Sequence, residues 1–508
     1  MTRGIALAGL LLLLTACATA GGHGGTNDER ARAWLDGHRD HPPMLRMFLQ
    51  RMPKGGDIHT HLSGAVYAES YIAWAATADP PLCADSTTGV IAPCCAGCAG
   101  RPVAEALGDP TFYSALVDGL STRNLAAQPQ SGHDQFFGAF RRFGAATDRR
   151  WPDMVAELAA RAADQHVVYL EIMLTLRGRE VQALARGLPF DAGDLAASRQ
   201  RLLDAGLRDL VGQATNDLDA LERDVSMILA CGGASPPPAC RVTRRYLQQT
   251  TRTAEPPLVF AQLVYAFELA RAERRVVGIN MVAPEDFHVA RRDYSLHMRM
   301  VGWLAEQYPE VNVALHAGEL TLGLVPPADL RFHIREAVEV AGARRIGHGV
   351  AIAYERDAAG LFRIMQERGV LVEICLTSNA VILGVAGAQH PFPHYLSAGV
   401  PVTLATDDEG VSRIDLTNEY LRAATTYRLR YRDLKQLARN SLTYSFLAGA
   451  SLWQSPASLH PVPACAAEPA GGHASPACRA FLDASDKARL QWELERAFAD
   501  FEAMAWAR

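Results

Sequence analysis

The sequence predicts an α/β fold, and within that class a closed (β/α)8 barrel of the TIM type. Between Pro53 and about Leu447, short apolar and β-branched runs alternate with longer segments of helical periodicity. Several runs are almost continuously apolar, which is typical of parallel strands covered on both faces. A doubly wound open sheet is the alternative, but no Gly-x-Gly-x-x-Gly follows the first run.

Eight runs are predicted to be strands, and eight strand–helix units are the number that closes a parallel barrel. The predicted strands are residues 57–62, 167–174, 225–230, 276–282, 311–316, 345–350, 371–376 and 402–406. Between them, segments such as 153–165 and 331–341 have helical spacing. We expect one barrel domain over 31–508, with an insertion at 80–102 and an extension over 450–508 that ends in a helix at 486–505.

Composition excludes several chemistries. The chain of 508 residues contains only three lysines, Lys54, Lys435 and Lys487. Phosphate loops of the Walker type and Schiff-base chemistry both need a lysine, so neither is expected in the central part of the chain. The net charge of −5 gives no basic stripe for nucleic acid. A small-molecule ligand is therefore expected.

The N-terminus has the pattern of an export signal. An apolar run over 5–14 is too short to span a bilayer and ends in Leu14-Thr15-Ala16-Cys17. This tetrapeptide resembles the bacterial lipobox, whose cysteine carries the lipid; a plain secretory signal cleaved near residues 18–20 is the alternative. We expect a signal peptide over 1–17, a flexible tether over 18–30, and a lipoprotein facing the periplasm or cell surface, with the outer membrane favoured.

Export permits disulfide bonds, and eight of the ten cysteines are placed to form them. The exceptions are Cys17 and Cys375, the latter within an apolar run. The eight lie in three local groups: Cys83, Cys94, Cys95 and Cys98; Cys231 and Cys240; Cys465 and Cys478. A zinc knot at 94–98, or half of a cytidine-type deaminase site, is the alternative, but no proline precedes Cys95 and the chain has no His-x-Glu.

Polar residues collect where four of the predicted strands end. These positions are His59-Thr60-His61, His316-Ala317-Gly318-Glu319, Gly347-His348-Gly349 and Thr406-Asp407-Asp408. Because the carboxyl ends of barrel strands meet at one face, these side chains should lie together. Imidazoles with a carboxylate suit zinc with one position left for water. A two-metal site would normally need a bridging carboxylated lysine, and 55–434 contains none, so one metal per chain is predicted.

Together with Met52-Pro53-Lys54, Leu62 and Thr377-Ser378-Asn379, these strand-end motifs resemble the adenosine deaminase family, in family order from Pro53 to about Leu447. The export signal and the cysteine-bearing insertion also resemble its secreted, growth-factor-related branch. The resemblance implies hydrolytic deamination of a purine nucleoside and a zinc ion held by four residues: His59, His61, His316 and Asp407.

The resemblance also implies the roles of three further side chains. Glu319 would share a proton with purine N1, His348 would orient and polarise the water, and Asp408 would accept its proton and bind purine N7. Such a division suits addition of hydroxide to C6, since the ring nitrogen gains a proton as charge develops and ammonia leaves with one. For Glu319 alone, a carboxylate bonded to a metal ligand is the alternative.

Two departures from the family pattern bear on the substrate. Ser63 stands where an acidic residue contacts the ribose 5′-hydroxyl, and Ala283 stands where a glycine N–H meets purine N3. The sequence therefore predicts a deaminase of adenosine or a close purine nucleoside. The alternatives are a deaminase of a modified purine or nucleotide, and an idle nucleoside-binding signalling lipoprotein, which would not need Glu319, His348 and Asp408 together.

The lipobox predicts where lipid is attached. Labelled fatty acid should enter the wild-type protein and not a Cys17→Ser variant, because the thiol is the acceptor. A mature protein that begins after Cys17 and carries no lipid would contradict the lipobox while leaving export intact.

Overall fold

Eight parallel strands form the central sheet in the computed structural model, which describes residues 26–85, 88–95, 100–127, 130–456 and 458–504. The described strands, including three outside this sheet, are β1 (Gly55–His61), β2 (Leu82–Asp85), β3 (Ile91–Pro93), β4 (Gly100–Pro102), β5 (Val167–Leu174), β6 (Thr243–Thr251), β7 (Val276–Val282), β8 (Asn312–Ala317), β9 (Arg345–His348), β10 (Leu371–Ile374) and β11 (Val402–Leu404).

The large sheet has the order β1-β5-β6-β7-β8-β9-β10-β11, and its two outer strands meet. His61 N–H donates to the Asp407 carbonyl at 3.0 Å, and Asp407 N–H donates to the His59 carbonyl at 2.9 Å. These two bonds join the end of β1 to the residues that follow β11. The predicted (β/α)8 barrel is confirmed.

Helices surround the barrel and fill the connections. They are α1 (Asn27–Gly37), α2 (Pro42–Arg51), α3 (Leu62–Ala65), α4 (Ala68–Ala76), α5 (Pro110–Gly119), α6 (Gly132–Phe143), α7 (Trp151–Asp164), α8 (Gly178–Ala185), α9 (Leu195–Asp204), α10 (Leu207–Ile228), α11 (Pro256–Ala272), α12 (His288–Arg292), α13 (Tyr294–Gln307), α14 (His333–Glu339), α15 (Ala358–Arg368), α16 (Leu376–Leu383), α17 (Phe392–Ser397), α18 (Glu409–Ser412), α19 (Leu416–Thr426), α20 (Tyr431–Thr443), α21 (Pro476–Asp483) and α22 (Asp486–Ala503).

The third predicted strand, residues 225–230, is wrong. Residues 225–228 close helix α10, where Met227 and Ile228 are exposed. The third barrel strand is β6, whose sequence Thr-Arg-Arg-Tyr-Leu-Gln-Gln-Thr-Thr lacks the apolar run of its neighbours. Gln248 of β6 is buried but has a partner, since its Oε1 accepts from the Leu176 N–H at 3.1 Å, and a polar side chain can therefore be accommodated inside this strand.

The start of β1 is fixed by Lys54, which is fully buried. Its ammonium donates to the carbonyls of Leu49 and Met52 at the end of α2, at 2.6 and 3.0 Å, and to that of Gln165 after α7, at 2.9 Å. Carbonyls at helix C-termini lack partners within the helix and favour a positive charge. Lys54 therefore joins two helix ends at the barrel end opposite His61.

The insertion is a small antiparallel sheet of order β3-β2-β4, closed by the Cys83–Cys94 disulfide. Two further disulfides, Cys231–Cys240 and Cys465–Cys478, close the other predicted loops. Cys375 is free and buried, as expected. Cys94 therefore belongs to a disulfide bond and not to a zinc knot. Cys17 and Cys98 lie outside the described residues.

Both ends of the described chain pack against the barrel. Helix α1 begins at Asn27 with a capping box between Thr26 and Glu29, so the predicted tether over 18–30 is too long by at least the helical residues 27–30. The predicted helix at 486–505 is α22, which buries Leu490, Leu494, Phe498 and Phe501; residue 505 lies outside the described residues. Within the described ranges, we find no helix with the length and apolar character needed to cross a bilayer.

A charged network occupies the barrel interior. Arg345 of β9 is fully buried; its Nη2 donates to Glu171 Oε2 of β5 at 2.5 Å and its Nε lies 2.7 Å from Glu373 Oε1 of β10. Glu171 Oε1 accepts from the Tyr169 hydroxyl at 2.9 Å and from the Phe446 N–H at 2.6 Å. One guanidinium thus neutralises two carboxylates that would otherwise be buried without a counter-charge.

Removal of the arginine from this network should strongly reduce the stability of the fold. Arg345→Met should lower the free energy of unfolding by about 3–5 kcal/mol, because Glu171 and Glu373 would remain buried without the guanidinium that neutralises them. The matched control is Arg489→Met, which removes an arginine from exposed pairs with Asp486 and Glu493 and should cost less than about 1 kcal/mol. Equal denaturation midpoints for the two variants would contradict the assigned role.

Candidate active site

The predicted site residues are brought together at the carboxyl end of the barrel. His59 and His61 lie on β1, His316 lies on β8, and Asp407 follows β11. Asp407 has a φ of 59°, in the left-handed region that residues with a side chain rarely adopt. This backbone strain turns the Asp407 carboxylate toward the histidines, and such strain is typical of functional sites.

The ring nitrogens converge on one carboxylate oxygen. Nε2 of His59 and Nε2 of His61 lie 3.3 and 3.2 Å from Asp407 Oδ1, and the Nε2 atoms of His61 and His316 are 3.1 Å apart. Ligand atoms of His59, His316, His348 and Asp407 form one compact group, and those of His61, Asp407 and Asp408 form a second that overlaps it. Three of the predicted metal ligands, His59, His316 and Asp407, therefore lie in the first group together with His348, and the fourth, His61, lies in the second group with Asp407.

The outer nitrogens of the three predicted ligand histidines are held by acceptor oxygens. Nδ1 of His59 lies 2.5 Å from Glu373 Oε2. The equivalent distances are 2.8 Å from His61 to Gln249 Oε1 and 2.8 Å from His316 to Asn280 Oδ1. Because an oxygen acceptor places the proton on Nδ1, the lone pair of each Nε2 points into the cluster.

These residues fit a metal ion. His59 Nε2 is buried and lacks a good hydrogen-bond partner among the described residues. Burial acts to lower the pKa of His59, but Asp407 and Glu373 outweigh it and raise that pKa to about 10. The same carboxylates would favour a metal cation at this nitrogen. Ser378 donates to the other oxygen of Asp407 at 2.6 Å and so orients the carboxylate.

The three predicted catalytic residues face the same cluster. Nε2 of His348 lies 3.6 Å from Glu319 Oε1. Burial, followed by the charge of Asp407, raises the pKa of Glu319 and that of Asp408 well above their ordinary ranges. Asp408 packs tightly against Gly64, where a Cβ would lie 1.5 Å from Asp408 Oδ1.

Glu285 is a supporting residue that the sequence reasoning missed. Its buried carboxylate accepts from the N–H groups of Gly318 and Glu319 at 3.0 and 2.9 Å, and lies 2.6 Å from His333 Nδ1. Gly318 has a φ of 72°, so the chain turns sharply after β8 and Glu285 holds that turn. Glu285 therefore sets the position of Glu319.

Glu373 and Gln249, which orient His59 and His61, were also missed by the sequence analysis. Glu373 interrupts an otherwise apolar run, which is a usable signal, because a charge within a buried strand needs a partner. Gln249 has no such signal, because it lies on β6, a strand that the sequence pattern does not predict. The pairing of either residue with a histidine depends on strand order and register, which the local sequence does not contain.

A cavity of about 370 Å³ opens onto the cluster. Ser63 and Ala283, the predicted substrate-binding residues, both line it, together with Phe136, Phe137 and Phe140 of α6 and Phe287. Ala283 has a φ of 82°, a conformation that favours glycine. The cavity thus combines aromatic walls with a polar floor, as small-molecule sites commonly do.

A (β/α)8 barrel with histidines and aspartate at its strand ends defines the class of metal-dependent hydrolases. Residues 213–451 match the family model described as adenosine deaminase. The adenosine deaminase of Enterococcus faecalis is 37% identical over 139 residues, which cover 27% of this chain and 38% of that protein. The aminodeoxyfutalosine deaminase of Acidothermus cellulolyticus is 31% identical over 188 residues, covering 36% of this chain and 48% of that one.

Two solved structures share the fold. An Arabidopsis N6-mAMP deaminase aligns with a TM-score of 0.51 at 20% identity, over 79% of this chain and 96% of that one. An amidohydrolase from Burkholderia ambifaria with bound Zn aligns with a TM-score of 0.51 at 17% identity, over 80% and 88%. Over residues 213–451, a little under half of its length, the chain is similar to the adenosine deaminase family. Its matched stretch spans less than half the length of the curated relatives named above.

The geometry predicts a metal content. Purified protein should carry about one equivalent of transition metal per chain by elemental mass spectrometry, and His59→Ala or Asp407→Ala should remove it, because each variant deletes a donor. His460→Ala, at an exposed histidine, is the control and should retain the metal. Two tightly bound equivalents would contradict a mononuclear site.

Proposed function

We propose that this protein is a zinc-dependent aminohydrolase that converts adenosine, or a close purine nucleoside, and water into inosine, or its analogue, and ammonia. The observation that carries the proposal is the placement of Glu319, His348 and Asp408 around a cavity that three of the predicted metal ligands also line. A protein that only bound nucleoside would not need this set. A catalytically inactive nucleoside-binding protein is therefore the less well supported alternative.

Zinc is proposed because the donor set is three neutral imidazoles and one carboxylate, which suits zinc better than magnesium or calcium. The chemistry that zinc supplies when bound is to lower the pKa of a water molecule, so that hydroxide is available near neutral pH. The proposed ligands are His59, His61, His316 and Asp407. The acceptors Glu373, Gln249 and Asn280 orient their imidazoles.

Glu319 is proposed to supply the proton that purine N1 gains as hydroxide adds to C6. Burial and the charge of Asp407 raise the pKa of its carboxyl, which favours the protonated form that a proton donor requires. Glu285 holds the backbone N–H of Glu319 and so fixes the direction of approach. Ammonia then leaves C6 with the proton that Asp408 took from the water, while the proton of the C6 hydroxyl returns to Glu319 and the C6 carbonyl forms.

Asp408 and His348 are proposed to act on the water side of the ring. Asp408 accepts the proton released by the water and is held in position by Gly64. His348 donates from a ring nitrogen and orients the water. Both side chains are buried, so bulk solvent does not compete for these bonds.

The walls of the cavity support a purine ligand. Phenylalanine rings of α6 and Phe287 can pack against a flat base, and the backbone N–H of Ala283 is proposed to meet purine N3. The Ala283 methyl group narrows this side relative to glycine. A deaminase of a modified purine or nucleotide is the second candidate, because Ser63 replaces a carboxylate that would repel anionic substituents at C5′.

Location is also a proposal. We infer that the protein is exported and anchored through lipid at Cys17, with the barrel facing the periplasm or cell surface. The three described disulfides support an oxidising compartment. The proposed partner is a small purine, and the membrane is contacted only through the anchor.

The function is tested with the zinc-loaded protein and a panel of adenine, adenosine, deoxyadenosine, AMP, N6-methyl-AMP and aminodeoxyfutalosine. The release of ammonia is measured, or of methylamine in the case of N6-methyl-AMP. Turnover of adenosine or deoxyadenosine, with at least about a hundredfold loss in Glu319→Gln, supports the proposal. Preference for a nucleotide or modified purine supports the second candidate. Release of neither ammonia nor methylamine from any compound would contradict deaminase function.

Because Ser63 is uncharged, we expect the enzyme to discriminate only weakly between substrates that differ at the ribose C5′ position. A neutral hydroxyl forms weaker bonds than a carboxylate to the ribose 5′-hydroxyl, so 5′-deoxyadenosine should lose about tenfold or less in kcat/KM relative to adenosine. Ser63→Asp should widen this difference by restoring a charged acceptor. A loss of about a hundredfold or more in the wild type would show that another residue binds the 5′-hydroxyl.

A further inference from the structure

We propose that His390 and Asn379 are positioning residues that fix which ring nitrogen of His348 carries the proton, so that His348 presents an Nε2–H group to the cavity. The inference rests on the proposed function and assigns two residues that this function does not otherwise use. Neither residue touches the substrate cavity; both act through His348.

The chain of bonds begins at a backbone group whose polarity is fixed. The Phe392 N–H, at the start of α17, donates to His390 Nδ1 at 3.1 Å. A backbone N–H can only donate, so Nδ1 of a neutral His390 carries the lone pair. The proton of that ring is therefore on Nε2, which lies 3.0 Å from Asn379 Oδ1.

The second step passes through the amide of Asn379. Because His390 Nε2–H donates to Oδ1, the NH₂ group of Asn379 faces the other way, and Nδ2 lies 2.9 Å from His348 Nδ1. An amide NH₂ can only donate, so His348 Nδ1 must accept. The remaining proton of a neutral His348 is then on Nε2, which faces Glu319 at 3.6 Å.

This arrangement is the reverse of that at the three predicted metal ligands. His59, His61 and His316 each meet an oxygen acceptor at Nδ1, so their Nε2 atoms carry lone pairs. The His348 ring lies among them, with its centroid 5.1 Å from that of His59, yet it meets a donor at Nδ1. His348 therefore differs from the three predicted metal ligands because its partner at Nδ1 is a hydrogen-bond donor and theirs are acceptors. This difference leaves a proton on Nε2 of His348 and a lone pair on Nε2 of the others.

Burial keeps the bond chain in one state. His348, Asn379 and His390 are each no more than 1% exposed, so water cannot supply alternative partners. Each Nδ1 faces a group that can only donate, the Asn379 NH₂ at His348 and the Phe392 N–H at His390, so each ring accepts there and carries its single proton on Nε2. A neutral ring has one proton, and its position is then set by the partners described above.

The test is Asn379→Asp, which keeps the shape of the side chain and replaces the NH₂ donor with an acceptor oxygen. His348 Nδ1 should become protonated, and kcat should fall by about a hundredfold or more with KM changed by less than about threefold. Zinc content should remain at the wild-type level, since no predicted ligand is altered. Asn418→Asp, at a partly exposed amide on α19, is the matched control and should keep wild-type kcat.

The position of the proton is measured without substrate. In zinc-loaded protein labelled with ¹⁵N in its histidine rings, the His348 signals are assigned by their loss in His348→Asn. The proposal expects an unprotonated Nδ1 in the wild type and a protonated Nδ1 in Asn379→Asp. A protonated Nδ1 in the wild type would overturn it, as would an unchanged kcat in Asn379→Asp. The spectrum does not depend on turnover. The tautomer of His348 can therefore be determined even if the protein does not deaminate purines.

His390→Phe provides a second variant that does not add charge. It removes the donor to Asn379 Oδ1, so the amide is no longer held in one orientation and the His348 signals should show both tautomers. The expected loss in kcat is smaller than for Asn379→Asp. A single wild-type tautomer with wild-type kcat in His390→Phe would overturn the role of His390.

Discussion

The buried ion pairs of Arg345 are the interaction on which the site depends. This guanidinium holds Glu171 and Glu373, and Glu373 in turn fixes Nδ1 of His59, a predicted metal ligand. The two carboxylates and the arginine come from three different strands, β5, β9 and β10. A shift in the register of any of these strands would separate the charges, so the energetic demand for pairing also keeps His59 in place.

The other site histidines are also oriented by a partner at Nδ1, as His59 is by Glu373. Every ring has its outer nitrogen bound to a group of fixed polarity, and the polarity of that group decides what the inner nitrogen can do. Oxygen acceptors prepare His61 and His316 to bind a cation, whereas the amide NH₂ of Asn379 prepares His348 to donate. Four chemically identical side chains are thereby given two different roles by residues that do not touch the cavity.

Much of the fold could be predicted because parallel strands covered on both faces leave a clear apolar pattern. Seven of the eight predicted strands coincide with observed ones; the exception at 225–230 reflects a helix with an apolar end, and the true strand β6 is rich in arginine, glutamine and threonine. The strand-end motifs also located the three predicted catalytic residues and three of the four predicted metal ligands at one cavity, with the fourth, His59, in contact with Asp407. Glu285, Gln249 and His390 could not be predicted, because their roles arise from contacts between segments distant in sequence.

The central claim is that the barrel holds one metal ion with His59, His61, His316 and Asp407, while His348 remains a proton donor outside the ligand set. Anomalous diffraction at the zinc absorption edge, from crystals of the zinc-loaded protein, tests this most directly. The account predicts a single strong peak per chain at the barrel mouth, bonded to those three imidazoles and that carboxylate. A peak bonded to His348, or two peaks in the cavity, would contradict it.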